Sequence, residues 1–432
     1  MLISFSVTNF RSISEKQTFS LQTVGKVREH PKNVIKFSDI ELVRSVIVYG
    51  RNASGKSNLL LAMDTLKKLV TMPEYGLSNA YNPNKLCLSK LNSPSEFEIV
   101  FIADNGIKYK YELKFDSKAI LKESLYHYPE NKPAKLFNRY FNKRISLGNS
   151  FQGNISDIEE KLYPHDTLLS RVIFHRIESL LIPYTYFVRH FITHSFSLQE
   201  RYLLEHFKEN VSNIYLPHHL ENVSKLLRIA DTGIRSLEIK EFKEEEFNLP
   251  PDMDEKTRKR IINKNKYNIF TNHDIYDEKE NIIDSVKFRI DEESAGTIKL
   301  LSLGSVMLDC LNDGDVLFVD ELDKSLHPLL TKALINIYNN PRTNPNNAQL
   351  IFASHDVSLL NSGLFRRDQI WIAEKDLKGS TEYYSVADFK GIRKEIPLEK
   401  HYMNGTFGGT PVLNDYEFEF EFTNNENKIP QK

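Results

Sequence analysis

The residues best equipped for chemistry are Gly50-Arg51-Asn52-Ala53-Ser54-Gly55-Lys56-Ser57, a GxxxxGK[ST] pattern with Asn58 directly after it. The glycines let the backbone curl so that successive amides point inward at phosphate oxygens. Lys56 brings a point charge for the β- and γ-phosphates, and Ser57 a hydroxyl ligand for Mg2+. The implied chemistry is the binding of ATP with its magnesium ion. A second group is Val316-Leu317-Phe318-Val319-Asp320-Glu321, four apolar residues ending in two carboxylates. Ligands bind at the C-terminal edge of strands in open α/β sheets. There Asp320 would hold Mg2+ through water, and Glu321 would orient or deprotonate the attacking water. Taken alone the second pattern is weak, because acidic residues often end strands.

These groups need a frame that brings them together. Ser45–Tyr49 is a β-branched run leading into Gly50, the pattern of a strand buried on both faces of a sheet. After the loop, Leu59, Ala62, Met63, Leu66 and Val70 recur at helical spacing. The segment therefore reads strand–loop–helix, and the helix N-terminus adds its dipole to the phosphate site. Short buried strands are also expected at Val316–Asp320, Gln349–His355 and Gln369–Lys375, and a helix at about Gly296–Leu311. Residues 1–23 read as strands. Residues 97–128 alternate as an antiparallel sheet, with Asp104-Asn105-Gly106 as a hairpin turn. Residues 150–230 read as mainly helical, and residues 241–285 as charged and irregular before strand character returns at Ser285–Ile290.

Composition narrows the class. With 432 residues, 40% apolar and 27% charged, the chain is expected to be a soluble globular protein. A net charge of −1 supplies no global pull toward nucleic acid or membrane, so any DNA contact must be a local patch. The basic stretch Lys256–Lys266 is the candidate, although such runs are usually solvated faces and an acidic block precedes this one. Cys87 and Cys310 are the only cysteines, both in apolar sequence, which excludes a disulfide framework or a cysteine zinc site. No apolar run spans a bilayer and the first residues do not read as a signal peptide, so the cytoplasm is the expected compartment.

Asp320 lies 263 positions after Ser57, too far for a small GTPase or a ring-forming AAA-type ATPase. The spacing suggests a head split by an insertion. The order of motifs then resembles ABC-type ATPases of the SMC, RecF and OLD group. VTNFRSI resembles their first strand and turn, and GRNASGKSN their phosphate loop. Glu293-Ser294-Ala295-Gly296-Thr297 resembles the signature motif, Leu322–Pro328 the D-loop, and His355 the switch histidine at the γ-phosphate. Two departures stand out: Ala295 replaces a signature glycine, and no glutamine lies between Gln22 and Gln152 to form a glutamine loop. A narrower resemblance is to AAA-family ATPases of prokaryotic anti-phage defence loci, such as abortive-infection ATPases and AriA of the PARIS system. Ile229–Ile239, Glu293–Leu303, Asp320–Pro328, Leu364–Asp376 and His401–Pro411 carry it.

The resemblance implies an α/β ABC-ATPase head with a mixed, largely parallel core sheet, an antiparallel β subdomain and a mainly helical insertion. Residues 1–130 would form the first half of the head, 131–285 the insertion or lid, 286–412 the second half, and 413–432 a disordered tail. It implies a homodimer sandwiching ATP. Gly50–Asn58, Asp320, Glu321 and His355 would act in one subunit, while Ser294, Gly296, Thr297 and Asp323 would reach over from the other. A higher ring assembly is compatible with it. It implies a slow ATPase switch that senses a phage trigger and controls a separate effector, such as a TOPRIM-like nuclease. The chain itself lacks the acidic cluster of such a nuclease. The alternative is a RecF- or SMC-like repair ATPase that binds DNA directly.

Overall fold

The computed structural model describes residues 1–175, 177–195, 217–250, 252–361, 363–392 and 396–411. Its centre is a six-stranded sheet in the order Phe191–Ser195, Val316–Val319, Gln349–Ala353, Ser45–Tyr49, Ile370–Lys375, Thr381–Ser385. The first five strands are parallel and the sixth is antiparallel. The run Ser45–Tyr49 is wholly buried because both faces of the sheet are covered. Val46 and Val48 enter one core, together with Val316, Phe318, Ile351 and Ala353. Ile47 and Tyr49 enter the other, with Leu317, Val319, Leu350 and Phe352. Successive strand side chains point to opposite faces, so a sheet between two cores needs apolar residues at every position.

Two helices occupy the two faces. Lys56–Thr71 buries Leu59, Leu60, Ala62, Met63, Leu66 and Val70 in the first core. Ala295–Asp313 buries Leu300, Leu301, Leu303, Met307 and Cys310 in the second. Each fully buried aliphatic side chain contributes about 1.5–3 kcal/mol, so both helices are anchored by packing rather than by propensity. The first core is closed by a seven-stranded antiparallel sheet. Its order is Ser146–Leu147, Ala134–Tyr140, Ile120–His127, Lys108–Phe115, Ser95–Ile102, Leu2–Thr8, Gln17–Ser20. The expected Asp104–Gly106 turn joins two of these strands, with Gly106 at φ 72°.

Residues 131–285 depart from the helical expectation. Ala134–Tyr140 extends the antiparallel sheet, and Phe191–Ser195 supplies the edge of the core sheet. Helices are present at Glu178–Thr185 and Pro217–Ile229, among shorter turns. Beyond them Tyr267–Tyr276 pairs with Ile234–Glu241 on one side and Ile282–Arg289 on the other in a separate three-stranded antiparallel sheet. Ile282–Arg289 covers most of the strand expected at Ser285–Ile290, whereas Ile234–Glu241 and Tyr267–Tyr276 were not expected, because few of their positions are buried and their polar residues hide the alternation. The basic stretch 256–266 forms most of the exposed helix Glu255–Asn265. Cys310 is buried as expected, but Cys87 is half-exposed in a loop between the exposed Leu86 and Leu88. The tail 413–432 lies outside the described residues. Among the described residues no helix is long and apolar enough to cross a membrane.

Candidate nucleotide site

The phosphate loop leaves the buried strand Ser45–Tyr49 and turns into the helix Lys56–Thr71. Gly55 precedes that helix at φ 108°, and no side chain caps the helix start. The Asn58 N–H donates to the Gly55 carbonyl at 2.9 Å, which leaves the Lys56 and Ser57 amides for an anion. A Cβ at position 55 would run into the Thr381 side chain, so the close approach requires glycine as much as the dihedral does.

Behind the loop runs a directed chain of hydrogen bonds. Asn58 Nδ2 donates to Ser12 Oγ at 2.6 Å, and Thr381 Oγ1 donates to the Ser54 carbonyl at 2.8 Å. Ser12 and Thr381 lie 2.6 Å apart, so Ser12 must be the donor between them. Tyr383 adds a bond to the Gly55 carbonyl at 2.6 Å. Asn58, expected to line the nucleotide, thus serves the brace. Ser12, Thr381 and Tyr383 were not legible as site residues: Ser12 lies in VTNFRSI, which reads only as a first strand and turn, and Thr381 and Tyr383 lie in a segment without a motif, far from the loop in sequence. Arg51, Asn52 and Ala53 form the exposed rim, and Ser54 is buried below it.

Lys56 is nearly buried and folds back on its own loop. Its ammonium donates to the Gly50 carbonyl at 2.6 Å and to the Arg51 carbonyl at 3.2 Å. Burial pushes this ammonium below its usual range, opposed by Asp320, Glu321 and Asp323. Burial likewise pushes the Asp320 carboxyl up, Glu321 adds to the rise, and Ser57, Lys56 and His355 oppose it. The sequence-predicted Ser57, Asp320, Glu321 and His355 are therefore brought together around Lys56, although the chain separates them widely. Asp320 Oδ1 is buried with no hydrogen-bond partner. An orphaned carboxylate oxygen beside a serine hydroxyl fits Mg2+, a hard cation that takes few protein oxygens and completes its shell with phosphate and water. Among the described residues no group of three His, Cys, Asp or Glu could hold a metal ion.

Past the strand Val316–Val319 the chain turns sharply, and Glu321 takes a left-handed φ of 52°. Such strain persists only where surroundings impose it. Here the restraint is Lys299 of the helix Ala295–Asp313. Its buried ammonium donates to the Glu321 carbonyl at 3.0 Å, the Leu322 carbonyl at 3.2 Å and the Lys324 carbonyl. Lys299 was missed in the sequence, where its one signal is a charge inside the apolar run Ile298–Leu303. The Glu321 carboxylate is half-exposed, 3.4 Å from Lys324 Nζ.

Asp323 belongs to the same cluster in this chain. Its Oδ2 accepts the His355 backbone N–H at 3.4 Å, and its Oδ1 is buried without a partner. Its expected reach toward a second subunit is a matter for the dimer; within one chain the carboxylate stands close enough to Lys56 to favour its charged form. Ser294, Gly296 and Thr297 sit at the start of the opposite helix. Ser294 Oγ accepts the Thr297 N–H at 3.1 Å as its N-cap, and Gly296 packs close to the Ser325 carbonyl. The preceding Glu293 is held by Thr271 and by His273, 2.7 Å away, both on the three-stranded sheet.

The profile of the family described as "AAA domain, putative AbiEii toxin, Type IV TA system" matches residues 45–361, most of the chain and every residue of this cluster. The chain belongs to that family. No curated protein matches it. Among solved structures, the SMC head domain from Thermotoga maritima is similar at 12% identity, covering 89% of this chain and 98% of that one, with a TM-score of 0.39. The Smc head domain with an extended coiled coil from Pyrococcus furiosus, bound to the C-terminal domain of ScpA, is similar at 13% identity, covering 93% and 97%, with a TM-score of 0.39. The recombination mediator RecF, solved with an ATP analogue, is similar at 14% identity, covering 89% and 98%, with a TM-score of 0.37. Likenesses of this size carry no argument about what the chain binds. The AAA family assignment and the phosphate loop make it an ATPase-family protein.

Proposed function

We propose that the chain is a magnesium-dependent ATPase of the ABC type, used as a switch. The observation that carries the reading is the meeting of Lys56, Ser57, Asp320, Glu321 and His355 at the C-terminal ends of parallel strands. ATP would draw Lys56 off the Gly50 and Arg51 carbonyls and onto its β- and γ-phosphates, replacing neutral acceptors by charged ones. Ser57 and Asp320 would hold Mg2+, which neutralises charge developing on the phosphate oxygens. Glu321 would take a proton from a water whose oxygen attacks the γ-phosphorus. The bond to the β-phosphate bridging oxygen then breaks, giving ADP and phosphate. His355 would steady the γ-phosphate oxygens, and Lys299 keeps Glu321 in place.

A second copy would complete the site with the helix start at Ser294, Gly296 and Thr297, so ATP would join two heads. We read the biological role as regulation of a separate effector in a prokaryotic defence system, with a TOPRIM-like nuclease as the proposed effector and a phage product as trigger. The family to which the chain belongs, described by an AbiEii toxin and a type IV toxin–antitoxin system, supports that direction. Direct DNA binding is the weaker reading. The basic helix Glu255–Asn265 is partly neutralised by Glu255 on Lys259 at 2.6 Å and, just beyond it, Glu241 on Lys266 at 3.1 Å. The test is ATP turnover by the purified chain with and without duplex DNA, beside co-expression with the neighbouring gene product. Toxicity that needs both proteins, with turnover indifferent to DNA, is the expected result. Strong stimulation by DNA would transfer the assignment to repair.

A further inference from the structure

The segment His401–Pro411 lies beyond the matched family region, yet it packs against the first residue of the phosphate loop. It begins in the short helix Leu398–Met403 and ends in a knot of glycines, with Gly405, Gly408 and Gly409 at φ 73°, 69° and 69°. Gly409 sits on the loop itself. A Cβ built there would lie 2.7 Å from Ile372 Cγ2 and 3.5 Å from Gly50 Cα. Only a glycine combines that dihedral with that approach.

Three contacts hold the knot in place. Gly409 N–H donates to Glu374 Oε1 at 3.2 Å, and the Tyr384 hydroxyl lies 2.6 Å from Glu374 Oε2. Phe407 is buried against Phe389, with ring centroids 5.2 Å apart. Tyr402 is the pivot. Its hydroxyl donates to the Gly409 carbonyl at 3.1 Å, and its ring packs on Tyr49 at 5.4 Å between centroids. Burial pushes that hydroxyl up to about 12, and the Gly50 backbone amide opposes the rise.

Tyr49 continues the connection. It is the last residue of the strand before Gly50, and its hydroxyl donates to the Asp356 carbonyl at 2.8 Å, next to His355. One buried aromatic pair therefore touches both the start of the phosphate loop and the turn that carries the histidine.

We propose that His401–Pro411 is an integral wall of the nucleotide site, with Tyr402 and Gly409 as positioning residues that set the path of the chain through Gly50. The inference rests on the nucleotide-site reading above. Neither residue touches the reacting atoms. They act by fixing where the Gly50 carbonyl and the following amides stand, which governs how well phosphate is held. Tyr49 acts on the other branch, toward the histidine, so its loss should affect turnover more than affinity.

The test uses the full chain and measures melting temperature, the dissociation constant of a fluorescent ATP analogue, and turnover. Tyr402→Phe keeps the ring stack and deletes one hydroxyl. Gly409→Ala adds one methyl at the loop. Each is expected to weaken nucleotide binding by about tenfold, the scale of one lost hydrogen bond, while turnover at saturation stays within about twofold. Tyr49→Phe is expected to show the opposite split, with affinity kept and turnover reduced. Lys56→Ala separates the two levels of the argument. If Lys56→Ala abolishes binding while Tyr402→Phe and Gly409→Ala only lower the melting temperature, the knot is structural packing and the proposal falls. If Lys56→Ala binds nucleotide normally, the nucleotide site itself is misassigned and the proposal falls with it.

Discussion

The two helices on opposite faces of the core sheet begin in opposite ways. Lys56–Thr71 starts without a side-chain cap, below a loop braced from behind by Ser12, Thr381 and Tyr383. Ala295–Asp313 starts with its cap already made, since Ser294 Oγ accepts the Thr297 N–H. One end has no side-chain acceptor and leaves the Lys56 and Ser57 amides for an anion, while the other has a side-chain cap already in place. The difference teaches where the ligand energy resides. The braced loop presents its donors within one chain, whereas the Ser294 hydroxyl keeps its cap bond as an acceptor and has only its proton, 2.8 Å from Thr297 Oγ1, to offer a phosphate. In the proposed dimer the second chain would therefore be a modest, adjustable addition to a site built in the first.

The largest effect should come from damaging the braced end. Asp320→Asn is expected to lower turnover by at least about a hundredfold, the scale of losing one aligned electrostatic partner. It should also raise the melting temperature at neutral pH. Burial lifts the folded-state pKa of Asp320 above its unfolded value, so its ionised form opposes folding. That penalty applies above the raised folded value and disappears below the unfolded one. The gap in melting temperature between Asp320→Asn and the native chain should therefore close on acidification.

Lys299→Met cuts the link between the two ends. Three carbonyls lose their donor and Glu321 loses the restraint on its left-handed backbone. The expected cost is about 2–3 kcal/mol in urea unfolding, as for unpaired buried acceptors. Turnover should fall further than nucleotide affinity, because the phosphate loop is untouched. Equal losses in both would show that Lys299 is a general fold support.

Ser294→Ala probes the capped end. Loss of an N-cap costs about 1 kcal/mol of stability, and binding of nucleotide by the single chain should not change. Any drop in turnover should grow with dilution, as expected of a contact made across a dimer.

The smallest effect lies away from the nucleotide. His190 Nδ1 is 2.7 Å from Asp315 Oδ1 and its Nε2 is 3.1 Å from Asp104 Oδ2, tying the antiparallel sheet to the strand that ends in Asp320. Hydrogen bonding to Asp315 raises the His190 pKa above its usual value, while burial pushes the Asp315 carboxyl itself up. A histidine raised on folding contributes stability below its unfolded value near 6.5, and that contribution is lost as pH rises through the folded value. The unfolding free energy of His190→Gln in urea should sit below native at acidic pH, by about 1 kcal/mol at most, and converge with it at alkaline pH.

The sequence exposed the parts of the site whose residues carry their own grammar. Gly55, Lys56 and Ser57 announce themselves by spacing, and Val316–Glu321 by four apolar residues before two acids. The buried strands were readable because both faces are covered, so each ran apolar without interruption. Lys299, Ser12, Thr381 and Tyr402 were not readable, since their roles are set by neighbours far along the chain. Ile282–Arg289 was legible over most of its length as Ser285–Ile290, while its neighbours Ile234–Glu241 and Tyr267–Tyr276 were missed because their charged and polar residues mask any apolar alternation. Asn58 was legible in position but assigned to the wrong side of the loop. Motif spacing cannot tell a side chain facing phosphate from one bracing the loop from behind.

The central claim is that Glu321 performs the proton transfer in a site that two chains complete. Light scattering of Glu321→Gln with ATP and Mg2+, read beside phosphate release, tests it most directly. The account predicts native nucleotide affinity, phosphate release reduced by about a hundredfold or more, and conversion from monomer to a stable dimer only when both ATP and Mg2+ are present. Phosphate release at the native rate, or a mass indifferent to nucleotide, would contradict it.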